Sequence, residues 1–420
     1  MEAREFNLRR EKLLSTMPDH AAIILFSGSG VKCSADEEYP FVVNKNFYYL
    51  TGVTQANSAL IILKVDKVVT PYLFIEQPEE IKEKWTGRRL SVNQAYKISG
   101  IENVLFTEQI DSKIATVLSP DDNTYGRIDY LYFDLELGLK IRGEQSVEQL
   151  KNKLAQKYPH LVIEDVYPKI VQLRMLKSPN EIAAIRKAIS FTNTGLKAML
   201  TQLKPEMFEY QARALFEYVI GDRHNAKLAF ATIAASGVNA TILHYPTPNE
   251  RMKDGQLLLL DLGAANELYS SDISRTYPVS GQFNGLQKAI YEIVLACNKA
   301  VIEMIKPGLT LLDLQKYTIE FLSNRLLEEN LIKSADEISK YYYHSVSHHL
   351  GLDTHDPADR QLPLAPGNVI TVEPGLYFKE YGIGVRIEDD VLVTLDGSEN
   401  LSKAIIKEVK DIEKALIHRK

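Results

Sequence analysis

Short apolar runs alternate with amphipathic stretches through the first part of the chain, and that alternation predicts its elements. An opening helix is expected over 5–18. A buried strand is expected over 21–26, where six apolar residues follow one another. Strands are predicted over 47–50 and 59–63, split by a Thr51-Gly52 turn, and a further one over 72–76. A short helix over 79–85 ends at Trp85, the only tryptophan. Strands over 131–135 and 161–165 flank a helix over 146–158. Alternating strands and helices describe an α/β domain of roughly 165 residues.

A strong helix start then marks a boundary. In the stretch from Leu176 to Glu181, Ser178 is placed to cap, Pro179 suits the first helical position and Glu181 completes a capping box. Ile182, Ile185 and Ile189 follow as the apolar stripe of a core helix. The expected organisation is an α/β domain over 1–170 and an α+β domain over 171–420.

The second part repeats its own pattern. Ile185-Arg-Lys-Ala-Ile189 resembles Leu286-Gln-Lys-Ala-Ile290. Each helix ends at a Lys-Pro pair, Lys204-Pro205 or Lys306-Pro307, and amphipathic helices follow over 208–220 and 311–326. Each copy then reaches a fully apolar strand that ends on an acid. One runs from Gly255 to Asp261 and Gly263, the other from Gly367 to Glu373 and Gly375, with the same spacing in both. An internal repeat of this kind predicts pseudo-twofold symmetry, with the acids near the pseudo-axis.

A carboxylate ending a buried strand is costly unless something pairs with it. Each acid here has a second acid downstream, Asp272 after Asp261 and Glu388 after Glu373. A turn between Asn266 and Glu267 sets the first two opposite each other on one face of an antiparallel hairpin. A turn between Glu380 and Tyr381 does the same for the second two. Like charges directly opposite are destabilising. One such pair is most simply a solvated acidic hairpin; two pairs, each behind a buried strand, point to shared metal ions.

Composition narrows the class. A chain of 420 residues, 45% hydrophobic and 25% charged, is ordinary globular material of two or three domains. The net charge of −6, with Lys and Arg scattered, gives no reason to expect a nucleic-acid partner. Only Cys33 and Cys297 occur, which fits a reducing compartment. The N-terminus has no apolar signal core and no apolar run is long enough to span a bilayer. A cytoplasmic protein without a membrane partner is expected.

Five of the nine histidines stand in suggestive places. His244 precedes the first hairpin; His344, His348, His349 and His355 precede the second. His20, His160, His224 and His418 lack that context and are expected at the surface. A single histidine is most often a satisfied polar residue. A cluster beside four carboxylates reads as ligands and proton-transfer groups. Two Asp, two Glu and one His make a hard, oxygen-rich set that suits Mn²⁺ first, then Co²⁺, Fe²⁺ or Zn²⁺. Four carboxylates are too many for one small cation and suit two ions about 3.5–4 Å apart. Such a pair activates water and polarises a carbonyl, while spare histidines donate to the developing oxyanion. The chemistry is hydrolysis at a carbonyl or phosphoryl centre.

The chain resembles the pita-bread metallopeptidases, and among them the Xaa-Pro aminopeptidases (aminopeptidase P). The likeness rests on the motifs from Leu260 to Gly263, Ser271 to Pro278, Ser347 to Asp356, Thr371 to Tyr377 and Val385 to Asp390. In the first domain it rests on Ser34 to Pro40, Asn46 to Gly52 and Trp85 to Leu90. The resemblance implies that Asp272 and Glu388 bridge two ions, that Asp261 holds one, and that His348 and Glu373 hold the other. It also implies that Glu373 shuttles a proton to the prolyl nitrogen and that His244 and His355 steady the tetrahedral intermediate. His344, Arg386 and Tyr377 line the site, Tyr377 as a substrate contact. The implied substrate is a peptide with proline second, and the implied assembly a homodimer or homotetramer. The chain departs from the family at Val42-Val43, where polar residues are common, at Pro357-Ala358, and in a Glu373–Glu388 loop nearer prolidase length. A prolidase cutting only Xaa-Pro dipeptides is the neighbouring alternative, and a metal-free pita-bread binding protein the alternative of another class.

Overall fold

The computed structural model describes residues 1–119, 124–136, 140–141 and 145–417. It divides into two units, Met1–Leu173 and Arg174–Lys420.

The first unit is built on a six-stranded sheet. Its strand order is Asn103–Phe106, Val68–Ile75, Ala59–Val65, Ala21–Phe26, Tyr130–Phe133 and Val162–Asp165. The three strands between residues 21 and 75 are antiparallel neighbours, and the outer strands join in parallel. Ala21–Phe26 is buried at every position, as its unbroken apolar run requires.

One expected strand is a helix. Residues 47–50 lie in the helix Lys45–Thr51. The Asn44 side chain accepts the Phe47 N–H at 2.8 Å, and Gly52 closes the last turn at φ +72°. A short, wholly buried aromatic run carries no period, so local capping decides its form. Helices Val92–Ser99 and Ile110–Leu118, also absent from the sequence reading, complete this part.

In the second unit, Ser178 and Glu181 form the capping box at the start of helix Pro179–Leu200. That helix packs on Glu209–His224, and Gly285–Met304 packs on Leu311–Glu328. Each helix pair accompanies a small sheet. One sheet has strands Ile233–Ser236, Leu257–Leu262 and Ile273–Pro278; the other has Val369–Val372, Asp389–Val393 and Ser398–Asn400. A ribbon of Gly375–Phe378 and Ile383–Arg386 continues the second hairpin.

The two hairpins differ in register. In the second, Val372 pairs with Asp389 and Gly375 with Arg386, which leaves Glu373 opposite Glu388 as expected. The first turns at Glu267 and Leu268, both with positive φ, rather than between Asn266 and Glu267. Asp261 therefore pairs with Ser274, and Asp272 is its diagonal neighbour. A shift of two residues preserves the face, so both carboxyl groups still point the same way.

Candidate metal centre and active site

Asp261 lies within strand Leu257–Leu262, while Asp272, Glu373 and Glu388 lie in the short breaks that adjoin strands Ile273–Pro278, Val369–Val372 and Asp389–Val393. Leu257–Leu260 are buried on both faces, and Asp261 is the first residue of that strand to be only half-buried. Asp272 and Glu388 are buried, and Glu373 is half-buried. His348 comes from a segment stitched to strand Val369–Val372. Its N–H reaches Thr371 Oγ1 at 3.2 Å, and the Thr371 N–H reaches its carbonyl at 2.9 Å.

Three overlapping groups bring the five residues together: Asp261, Asp272 and Glu388; His348, Glu373 and Glu388; and Asp272, His348 and His355. Within each, one potential ligand atom per residue lies within 4.8 Å of the others. His348 Nε2 is 3.4 Å from Asp272, 3.7 Å from Glu373 and 4.0 Å from Glu388. Its Nδ1 lies 3.0 Å from the His349 carbonyl, an arrangement in which Nδ1 carries the proton and Nε2 turns a lone pair toward the carboxyl groups.

The site is short of positive charge. Four carboxyl groups share one guanidinium, that of Arg386. Burial, then repulsion from Asp261 and other neighbouring acids, pushes Asp272 well above the usual carboxylate range. Burial and the Asp272 charge do the same to Glu388, and burial lifts Glu373 to about 7. Asp261 Oδ1 is buried with no hydrogen-bond partner among the described residues. Crowded hard oxygens, a free imidazole lone pair and an orphaned carboxylate oxygen are what divalent cations would satisfy, and the donor set fits them.

Around the carboxyl groups runs a continuous hydrogen-bond chain. Arg386 Nη2 donates to Asp261 Oδ2 at 2.8 Å, its Nε to Ser274 Oγ at 2.8 Å, and its Nη1 to the Tyr377 hydroxyl at 3.1 Å. Ser274 Oγ in turn donates to Glu388 Oε2 at 2.7 Å. The Tyr377 hydroxyl stands 2.9 Å from His344 Nε2. His344 Nδ1 stands 2.9 Å from the Ser345 carbonyl and 3.6 Å from Glu373 Oε2. Burial and Arg386 lower His344 to about 4, so it is neutral near pH 7. His244 and His355 are exposed and line a cavity of about 460 Å³ together with Asp261 and Asp272. Burial also lowers His355 below the ordinary histidine value.

Two supporting residues carried no signal in the sequence. Ser274 links Arg386 to Glu388, and Asp390 Oδ2 accepts the Asp272 N–H at 3.2 Å. Both lie inside motifs singled out for other residues. Of the remaining histidines, His160 is exposed as expected. His20 is half-buried, with Nδ1 3.0 Å from the Arg127 carbonyl. His224 is half-buried too and stacks on Phe191 at 4.1 Å, because a flat ring at a helix end packs as readily as it solvates. His418 lies outside the described residues.

The pattern of metallopeptidase family M24 matches residues 183–395. This chain belongs to metallopeptidase family M24. The pattern of the aminopeptidase P N-terminal domain matches residues 6–125. The M24 fold here is thus a pita-bread domain preceded by an aminopeptidase P N-terminal domain. The chain is 32% identical to the Xaa-Pro aminopeptidase of Escherichia coli K12, over 99% of this chain and 98% of that protein. A Bacillus anthracis structure described as an aminopeptidase P is 41% identical, with a TM-score of 0.95 over 100% of this chain and 99% of its own. Aminopeptidase P from E. coli with the inhibitor Pro-Leu is 31% identical, with a TM-score of 0.89 over 99% and 98%.

Proposed function

We propose that the protein is a Xaa-Pro aminopeptidase, a metallo-exopeptidase that hydrolyses the bond between an N-terminal residue and a following proline. The observation that carries this is the convergence of Asp261, Asp272, His348, Glu373 and Glu388 on one volume, the His348 lone pair facing three carboxyl groups. The end-to-end match to a Xaa-Pro aminopeptidase, N-terminal domain included, supports peptides as substrates over Xaa-Pro dipeptides alone. A metal-free binding protein has no use for five intact donors. In this reading 171–420 is the catalytic domain and 1–170 the aminopeptidase P-like domain before it.

Asp261, Asp272, His348, Glu373 and Glu388 would hold two divalent cations; the hard donor set favours Mn²⁺ over Co²⁺, Fe²⁺ or Zn²⁺. When bound, the cations supply Lewis acidity for the amide carbonyl and lower the pKa of a water. The chain's own groups do the rest. Glu373 takes the proton from the attacking water and hands it to the prolyl nitrogen. That transfer matters because an X–Pro amide has no N–H and leaves as a secondary amine. His244 and His355, at the cavity wall, donate to the oxygen on which negative charge develops. Arg386 fixes Asp261 directly and Glu388 through Ser274, so both carboxyl groups keep their aim while protons move. His344 and Tyr377 hold the other edge of Glu373 and line the substrate's path.

Two unpaired cysteines, exposed Cys33 and buried Cys297, support a reducing, cytoplasmic setting. No helix among the described residues is long and apolar enough to cross a membrane. Self-association into a dimer or tetramer, implied by the resemblance, is read out by light scattering. The function itself is tested with Mn²⁺-supplemented protein on an Xaa-Pro-Pro tripeptide, its Xaa-Ala-Pro counterpart and an Xaa-Pro dipeptide. Release of the first residue from the tripeptide with proline second is expected, and little from the alanine counterpart. Cleavage of the dipeptide alone would make the protein a prolidase.

A further inference from the structure

The cavity beside the metal-ligand candidates has donors that the reaction does not use. Arg213 and Thr232 line it, with Phe230, Ile233 and Pro246 supplying apolar surface. Thr232 is only 6% exposed, and its Oγ1 is buried without a hydrogen-bond partner among the described residues. A buried hydroxyl left unpaired is rare in a folded protein, and this one belongs to a residue of the cavity wall.

Arg213 is similarly available. It lies one turn along helix Glu209–His224 from Glu209, a natural ion-pair partner at that spacing. The Glu209 carboxylate is already committed, however. Oε1 accepts from Ser236 N–H and Oγ at 2.7 and 2.8 Å and from Asn239 at 3.1 Å, and Oε2 accepts the Glu250 N–H at 3.1 Å. The other neighbour, Glu217, reaches Arg213 Nε only at 4.0 Å, with both side chains more than a third exposed. A surface pair at that distance holds a guanidinium weakly. Its planar fork remains free for a carboxylate, which it binds through two parallel hydrogen bonds.

The substrate group that meets these donors follows from the reaction. One residue lies on the acyl side of the scissile bond, at the peptide's N-terminus. Its amino group lies toward the metal-ligand candidates Asp261 and Asp272, which border this same cavity, and its side chain leaves the same α-carbon. Its methylenes find Phe230, Ile233 and Pro246, and its end finds two donors. We propose that Arg213 and Thr232 form a carboxylate-recognition subsite that makes the enzyme prefer glutamate or aspartate as the residue before proline. This rests on the Xaa-Pro aminopeptidase reading of the site and gives it a substrate class.

The test is kcat/KM for peptides Xaa-Pro-Pro with Xaa as Glu, Gln, Ala or Lys, each as free acid and as C-terminal amide. Glu is expected to exceed Gln by about tenfold, the scale of one charge-assisted contact at a half-exposed site, and to exceed Lys by more. The preference should persist in the amides. Arg213→Gln should bring the Glu-to-Gln ratio close to one. Arg213→Glu should favour Lys, and Thr232→Val should lower the glutamyl rate more than the alanyl rate. Thermal melts of each variant identify any fold loss, and the charge reversal reads out through a gain for Lys that misfolding cannot produce. Cleavage of alanyl peptide with no Glu preference, or a preference that survives Arg213→Gln, would overturn the subsite and leave the aminopeptidase reading intact. A preference seen only in free acids would assign Arg213 to the peptide's C-terminus and overturn it equally. Failure to cleave any Xaa-Pro peptide would bring down the aminopeptidase reading, and the subsite with it.

Discussion

A single imidazole states the chemistry of this centre. His348 is turned by a backbone carbonyl so that its Nε2 looks at Asp272, Glu373 and Glu388, and Arg386 is the guanidinium that faces these carboxyl groups. Replacing Asp272 by Asn should cost more than the ~10–100-fold loss typical of an outer-shell partner. The same change relieves like-charge crowding, so the melting temperature of the metal-free variant should equal or exceed that of the metal-free parent. His355→Ala should reduce turnover more than metal occupancy; loss of metal instead would make His355 a ligand, which its grouping with Asp272 and His348 allows. A pH dependence follows from Glu373. Burial lifts its carboxyl from 4.5 to about 7 in the metal-free protein. Between those values the folded state holds a proton that the unfolded chain has released, so stability falls as pH rises through that window. Thermal melts with chelator should show this fall, and saturating Mn²⁺ should remove it.

The segment from Ser347 to Asp356 carries both His348 and His355 and has little regular structure of its own. It is held by a buried ion cluster. Asp356 receives Arg174 at 2.6 Å and Lys177 at 3.0 Å, and its N–H reaches the His349 carbonyl at 2.9 Å. Despite burial, these two cations hold the Asp356 carboxyl down to about 2. Asp356→Asn leaves two buried cations short of a partner and should cost about 3–5 kcal/mol, measured by denaturant unfolding. The depressed pKa has its own signature: about 2 kcal/mol of stability is fully present above the unfolded carboxylate value and is lost as pH falls toward 2. At the start of the domain, Ser178→Ala should cost about 1 kcal/mol through its capping box. That box was legible because capping chemistry is local, and the paired helices were legible because their apolar stripes keep a helical period. The Asp261 hairpin was half legible. Its face was right and its register shifted by two, since Glu267 and Leu268 accept positive φ and no Asn-Gly signal fixed the turn. The helix Lys45–Thr51 was not legible, because four buried aromatic and apolar residues in a row fit either period.

Across the whole molecule, the site draws its donors from residues 261 to 388, separated by two long helices, and the internal repeat made that convergence readable from the sequence. Ser274 and Asp390 were hidden because a serine or a further acid inside a motif has no distinctive spacing. Arg213 and Thr232 were hidden because an arginine on an amphipathic helix reads as a solvated residue, and only the folded cavity sets it beside the carboxyl groups. In the proposed mechanism, two cations held by these five side chains make the enzyme. The most direct measurement is a titration of metal-free protein with Mn²⁺ that follows bound ion and cleavage of an Xaa-Pro-Pro peptide together, in the parent and in Asp272→Asn. Two ions per chain with activity rising as they bind, and loss of both in the variant, are predicted. Full activity without bound metal, or an active Asp272→Asn chain, would contradict the account.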